Sequence, residues 1–126
     1  MRVENWEHKL NEYIEANKDK AFKYGTWDCC IFTAGAVHAI TGINHIKGFK
    51  YKSKKVAEKI LEANGGIVTI LDEKFKQIPS SLAKRGDLVL YNQAVGICIG
   101  ARGLFLNPEG YSTVSMNDIV LAWGVE

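Results

Sequence analysis

The chain lacks the features that mark exported, membrane-spanning and metal-binding proteins. Its apolar runs are far shorter than the ~20 residues that a membrane helix needs. Its opening segment, "MRVENWEHKL", carries charges where a signal peptide would have its apolar stretch. Three cysteines without a Cys-x-x-Cys pattern favour neither a disulfide framework nor a zinc site. We therefore expect synthesis in a reducing cytoplasm, no metal site, and no organic cofactor.

Strong charge of one sign is also missing, since the formal net charge is only +2. This value is too small to indicate a nucleic-acid binder. The lysines are nevertheless concentrated in residues 47–59, where Glu58 is the single acid. A solvated loop and helix face is one interpretation, and a contact for an anionic polymer or an acidic protein surface is the other. The predicted basic patch centres on Lys50, Lys52, Lys54 and Lys55.

The composition is that of a globular protein, with 47% hydrophobic and 24% charged residues. The length of 126 residues predicts a single domain over residues 1–126. No internal repeat or low-complexity segment interrupts it.

Three helices are predicted in the first half of the chain. Apolar residues at helical spacing indicate a first helix over about residues 4–17. Asp28 is a strong N-cap for a second, unusually apolar helix that ends at Gly42, and such a helix is expected in the middle of a fold. Ser53 can cap a third helix, which "NGG" (64–66) closes.

The second half of the chain changes to short β-type runs separated by Gly, Asn or Pro. Helices followed by strands predict an α+β fold in which the helices pack on an antiparallel sheet of about five or six strands. Residues 79–81 are predicted as a loop. The predicted strands are residues 67–71, 87–91, 95–100, 104–106, 111–116 and 119–125.

The segment "FKYGTWDCCIF" (22–32) carries the most distinctive chemistry. A thiol in the first turn of a helix is favourably placed for ionisation, because unpaired N–H groups there stabilise negative charge. A cysteine nucleophile also needs an adjacent base and a group that orients this base. The sequence leaves open whether Cys29 is a nucleophile or a partly buried residue at a helix start, and Cys30 and Cys98 are predicted core residues.

The order of the motifs resembles that of NlpC-type cell-wall endopeptidases, which are papain-like cysteine peptidases. "DCCIF" (28–32) is similar to their cysteine motif. "RGDLVLY" (85–91), "VGICIG" (95–100) and "GLFLN" (103–107) are similar to three successive strands. Together with "LAWGV" near the end, the chain looks most like small uncharacterised proteins of tailed phages and prophages. The resemblance implies a papain-like fold and a tail-associated role.

The resemblance also implies a set of site positions. Cys29 falls on the nucleophile, Ala94 on the base, Asn107 on the third polar position, and Phe22 on a tyrosine that shapes the oxyanion region. The base and this tyrosine are therefore both replaced. Trp27 and Gln93 are candidates to line a groove beside the thiol, although Trp27 is most easily explained as a core residue. Asn107 could equally be an ordinary turn residue.

No histidine of the chain is predicted to substitute for the missing base. His38 lies on the same helix as Cys29, about 13 Å further along its axis, and His45 lies roughly 20 Å away by the same rise. His8 belongs to the first helix and is expected to face solvent.

Three functions are compatible with these residues. We expect a catalytically degenerate papain-like domain that acts as an assembly or binding component of a phage tail. The first alternative is an active cysteine peptidase or amidase that cleaves peptidoglycan peptides with an unconventional base. The second is a small phage protein that binds a host factor through the lysine-rich segment.

Overall fold

A computed structural model describes residues 1–47 and 50–126 as an α+β fold. Its helices are α1 (Trp6–Ala16), α2 (Cys29–Thr41), α3 (Lys54–Ala63) and α4 (Ile67–Lys74). Its strands are β1 (Lys76–Pro79), β2 (Leu88–Tyr91), β3 (Ala94–Cys98), β4 (Arg102–Asn107), β5 (Gly110–Ser115) and β6 (Leu121–Gly124). They form one antiparallel sheet in the order β1-β6-β2-β3-β4-β5. Within the described ranges, no helix has the length and apolar character needed to cross a membrane.

The first three helices confirm the prediction, and the caps predicted for α2 and α3 are formed. The Asp28 carboxylate accepts a hydrogen bond from Ile31 N at 3.0 Å, and Gly42 ends α2 in the left-handed conformation that glycine adopts without strain. Ser53 likewise accepts a bond from Val56 N at the start of α3. The helix α2 is buried between α1 and the sheet, as its apolar composition predicts.

The strand predicted for residues 67–71 is wrong, because this segment forms α4. Its β-branched residues favour a strand locally. The apolar positions Ile67, Ile70 and Leu71 nevertheless have helical spacing and face the space beside α2. Tertiary contact along this helical face therefore overrides the local preference.

The first strand, β1, was not predicted, and its last residue, Pro79, belongs to the predicted loop of residues 79–81. It pairs with β6 at the edge of the sheet, with Ile78 opposite Ala122. Proline is tolerated in an edge strand, since its missing N–H group costs no bond within the sheet there. With β1, the sheet has six strands, which confirms the predicted number.

The two faces of the sheet pack into different apolar clusters. The face toward the helices contributes Leu88, Val95 and Ile97 to the main core, together with Phe32 of α2. The opposite face carries a smaller cluster, which we call the second cluster: Val89, Cys98, Phe105, Ile119 and Ala122. The alternation of side chains along each strand thus decides which residues can approach α2.

A buried ion pair joins both chain ends to the start of β2. Asp87 is completely buried, and its carboxylate lies 2.8 Å from the guanidinium of Arg2. The guanidinium also donates to Val125 O at 2.8 Å and to Arg85 O at 2.6 Å. The carboxylate accepts further bonds from Lys84 N at 2.9 Å and from Val125 N at 3.1 Å. Asp87 therefore anchors the loop before β2.

Candidate functional site

The start of α2 is built around the buried carboxylate of Asp28, which is only 1% exposed. One carboxylate oxygen caps the helix through Ile31 N. The other accepts bonds from Gly25 N at 2.9 Å and from the phenol of Tyr51 at 2.6 Å. A charge this deeply buried is stable only when hydrogen bonds replace its water shell. Asp28 therefore serves as both a helix cap and a tether for the segment around residue 51.

Tyr51 is the residue of this site that the sequence did not predict. Its backbone approaches Gly25 so closely that a β-carbon there would lie 1.9 Å from Tyr51 O. Gly25 also has a φ of +84°, which favours glycine. Burial and the hydrogen bond to Asp28 raise the pKa of Tyr51, so its phenol remains a donor at neutral pH. Twenty-three residues separate Tyr51 from Asp28, and no local pattern relates them.

The two adjacent thiols have different electrostatic surroundings. A side-chain hydrogen bond with Cys30 lowers the pKa of Cys29, while burial and the nearby Asp28 carboxylate act in the opposite direction. The same hydrogen bond and burial strongly raise the pKa of Cys30. Cys29 is half-buried at the first position of α2, and Cys30 lines an apolar cavity on the α3 side. Of the two thiols, Cys29 is thus the more acidic.

Thr33 connects this end of α2 to the sheet. Its hydroxyl oxygen lies 2.7 Å from Cys29 O and 3.3 Å from Val95 O. Through this contact, the first turn of α2 lies beside the beginning of β3. The backbones at Cys29 and at position 94 are therefore brought into the same region.

The side chains at the site positions that the resemblance implies do not all point toward the thiol of Cys29. Ala94 packs against the second cluster, on the face of the sheet away from Val95 and α2. Asn107 ends β4 with the same orientation as Phe105, and its amide donates to the hydroxyl of Ser112. A base at position 94 and a polar group at position 107 would therefore project from the face of the sheet that is turned away from α2.

The burial of the predicted groove residues shows which of them can line a groove. Trp27 is 3% exposed and packs between Tyr13 and Phe32, so it belongs to the core. Its indole N–H is buried without a hydrogen-bond partner among the described residues. Gln93 is exposed in the tight turn between β2 and β3, with a φ of +65°. Phe22 is half-buried and makes an edge-to-face contact with Tyr24.

Two of the three histidines, His8 and His38, lie where the sequence predicts, on exposed helix positions away from the first turn of α2. His8 pairs with Glu12 on the exposed side of α1. His38 is exposed in the last turn of α2. His45 follows α2 and contacts the ring of Phe75, with a centroid separation of 4.8 Å. It does line the same cavity as Cys30, which the spacing along the sequence did not predict.

The lysines of the predicted basic patch are all solvent-exposed. Lys50 and Lys52 flank Tyr51, and Lys54 and Lys55 begin α3, where Lys54 lies 4.0 Å from Glu58. Residues 48 and 49 of the same lysine-rich segment lie outside the described residues. Because Tyr51 is hydrogen-bonded to Asp28, Lys50 and Lys52 lie on a segment that is attached next to the two thiols.

Taken together, these contacts define an α+β domain with an acidic helix cap, a half-buried thiol beside it, and no imidazole hydrogen-bonded to that thiol among the described residues. The chain belongs to the family described as a domain of unknown function, DUF6950, whose model matches residues 1–125. No curated protein and no solved structure matches it significantly.

Proposed function

We propose that the chain is a papain-like domain of the NlpC type that has lost its catalytic base and acts as a binding or assembly component of a phage tail. The observation that carries the loss of catalysis is the environment of Cys29. Its neighbours Asp28, Cys30 and Tyr51 offer a capping carboxylate and hydrogen-bond donors, whereas a thiol nucleophile needs an adjacent proton acceptor.

The packing of α2 on the sheet supports the first half of this proposal. An apolar helix begins at the cysteine, packs on an antiparallel sheet, and contacts the strand whose first residue is Ala94. Asp28 is fully engaged by three donors, so its carboxylate holds the loop and is poorly placed to accept the thiol proton. General base catalysis contributes about 10²–10⁴-fold to such reactions, and its absence would leave little turnover.

Cleavage of purified peptidoglycan tests the proposed loss of catalysis. We expect wild-type protein and the Cys29→Ala variant to release the same background of peptides. Cys98→Ala, in the second cluster, is the matched control for a cysteine change elsewhere. Release that depends on Cys29 but not on Cys98 would contradict the proposal.

The tail-associated role rests on the resemblance to small phage and prophage proteins. Peptide mass spectrometry of purified particles tests it, with the chain expected at a fixed ratio to known tail proteins. If the chain stayed with host proteins during purification, the alternative of a host-factor binder would gain support. Reversal of the charges at Lys54 and Lys55 would then be expected to remove the captured host protein.

An active enzyme with an unconventional base is the second candidate, favoured by the lowered pKa of Cys29. The cause of this lowering is a donor, the Cys30 thiol, rather than a base. A stabilised thiolate can attack an electrophile, but it still lacks a group that returns a proton to the leaving amine. We therefore expect Cys29 to react with small alkylating agents without cleaving peptides.

A further inference from the structure

A cavity of about 120 Å³ lies between α2, α3, α4 and the helix-facing side of the sheet. Packed protein interiors contain few voids larger than a water molecule. A dry apolar cavity of roughly this size is known to accommodate benzene. Its lining includes Ala34 and Val37 of α2, Ala57 and Ile60 of α3, and Ile70 of α4.

The helix α3 covers this cavity without filling it. None of its residues is fully buried, although Ala57, Ile60 and Leu61 face the cavity. Val56, in the first turn, is 42% exposed. Among the described residues, the inner face of α3 therefore lines open space where a packed core would supply side chains.

Positive charge surrounds one side of the cavity. His45, Lys74 and Phe75 belong both to its lining and to an adjoining open pocket that also contains Lys76 and Lys84. Two acids lie in that pocket, but Asp87 is paired with Arg2, and Glu126 lies 3.9 Å from Lys84. Within the part of the chain that is described, Lys74 and Lys76 form no ion pair. Burial and the charge of Lys74 also lower the pKa of His45, as expected in a positive environment.

We infer that this cavity is a binding site for a small amphipathic anion, whose apolar part enters between α2 and α3 and whose charged head lies at Lys74 and Lys76. The apolar part is of about the size of a benzene ring. Cys29 is not part of the cavity lining, so this inference can be tested independently of the proposed loss of catalysis.

Three probes with the same ring and different charges test this inference: phenylacetate, 2-phenylethanol and phenethylamine. Binding is followed through the δ1 methyl signals of isoleucine by NMR. We expect Ile60 and Ile70 to shift, Ile119 in the second cluster to remain unchanged, and the affinity to fall from the anion to the alcohol to the amine. Equal binding of all three probes, no binding, or shifts confined to Ile119 would each overturn the inference.

Variants separate the apolar part of the site from its charged part. Ala34→Leu, which fills the cavity from α2, is expected to abolish binding of phenylacetate and of 2-phenylethanol. Ala57→Leu fills it from α3 and decides the question if the first variant does not fold. Lys74→Met is expected to weaken phenylacetate by about two- to fivefold, the range typical of an exposed ion pair, and to leave 2-phenylethanol unchanged. Lys59→Met is the matched control on α3, and unchanged phenylacetate binding in either cavity-filling variant would contradict the inference.

Discussion

The buried pair of Arg2 and Asp87 predicts that a side chain at the second position of the chain contributes a large part of its stability. The test is Arg2→Met, which keeps an apolar stem but removes the guanidinium, together with its cation–π contact over the Trp6 ring. The variant leaves Asp87, which has no exposed surface, without its counter-charge.

The expected loss follows from the burial of the pair. Removing one partner of a buried ion pair costs about 3–5 kcal/mol, because the remaining charge is left without compensation. Asp87 keeps its bonds from Lys84 N and Val125 N, so complete loss of its solvation is avoided. The carbonyl groups of Arg85 and Val125 each lose a donor as well. We therefore expect the free energy of unfolding to fall by about 3–5 kcal/mol, a large fraction of the 5–15 kcal/mol that is typical of a domain.

Urea denaturation followed by circular dichroism measures this change. With a slope of about 2 kcal/mol/M, the midpoint should fall by about 1.5–2.5 M without a change in slope. Arg102→Met is the matched control, because Arg102 is exposed and, within residues 1–47 and 50–126, its side chain bonds only to Thr113. Its expected cost is within about 1 kcal/mol.

A double-mutant cycle with Asp87→Asn isolates the pair itself. The double variant should be less destabilised than the sum of the two single variants, by an interaction energy of about 0.5–3 kcal/mol. A loss below 1 kcal/mol for Arg2→Met, or exact additivity in the cycle, would refute the assignment of the pair as a buried anchor.

Three further predictions concern the start of α2 and the tyrosines. Cys30→Ala should raise the apparent pKa of Cys29 in iodoacetamide alkylation read by mass spectrometry, whereas Cys30→Ser, which retains a donor, should not; the same profile in both variants would contradict the Cys30 bond. Tyr51→Phe should lower the free energy of unfolding by about 1.5–3 kcal/mol in urea, as expected for a bond to a buried carboxylate, while an unchanged midpoint would refute the tether. Burial raises the pKa of Tyr111 to about 12. The contribution of its neutral phenol to the free energy of unfolding should therefore be fully present below about pH 10 and be lost between about pH 10 and 12. Tyr111→Phe should weaken this decline, and an unaltered pH profile would count against the prediction.

Most of the helices and strands followed from local signals in the sequence. Asp28, Gly42 and Ser53 are capping residues whose hydrogen bonds and backbone conformations match the predicted helix ends. The turn residues Asn92 and Gln93 separate β2 from β3, and both have positive φ, as a tight hairpin requires. Local chemistry was sufficient at these points because each signal acts over only a few residues.

The errors occurred where distant contacts decide the structure. Residues 67–71 resemble a strand by composition and form a helix because their apolar face covers the space beside α2. The edge strand β1 contains Pro79 and lacks clear alternation, and it exists through its pairing with β6. The sequence spacing likewise gave no reason to expect Tyr51 at Asp28 or His45 on the cavity that contains Cys30.

The Asp-Cys pair therefore has a structural explanation that is independent of catalysis. Asp28 satisfies the first turn of α2, holds Gly25 and binds the phenol of Tyr51, so its loss would disturb three segments at once. Cys29 contributes its carbonyl to Thr33 through the backbone, which any residue could supply. Folding alone thus requires the acid more strongly than the thiol. The folding role of the Asp28 carboxylate is therefore a sufficient reason for the motif to be present in this chain. Only a measurement on Cys29 itself distinguishes a nucleophile from a small residue beside a helix cap.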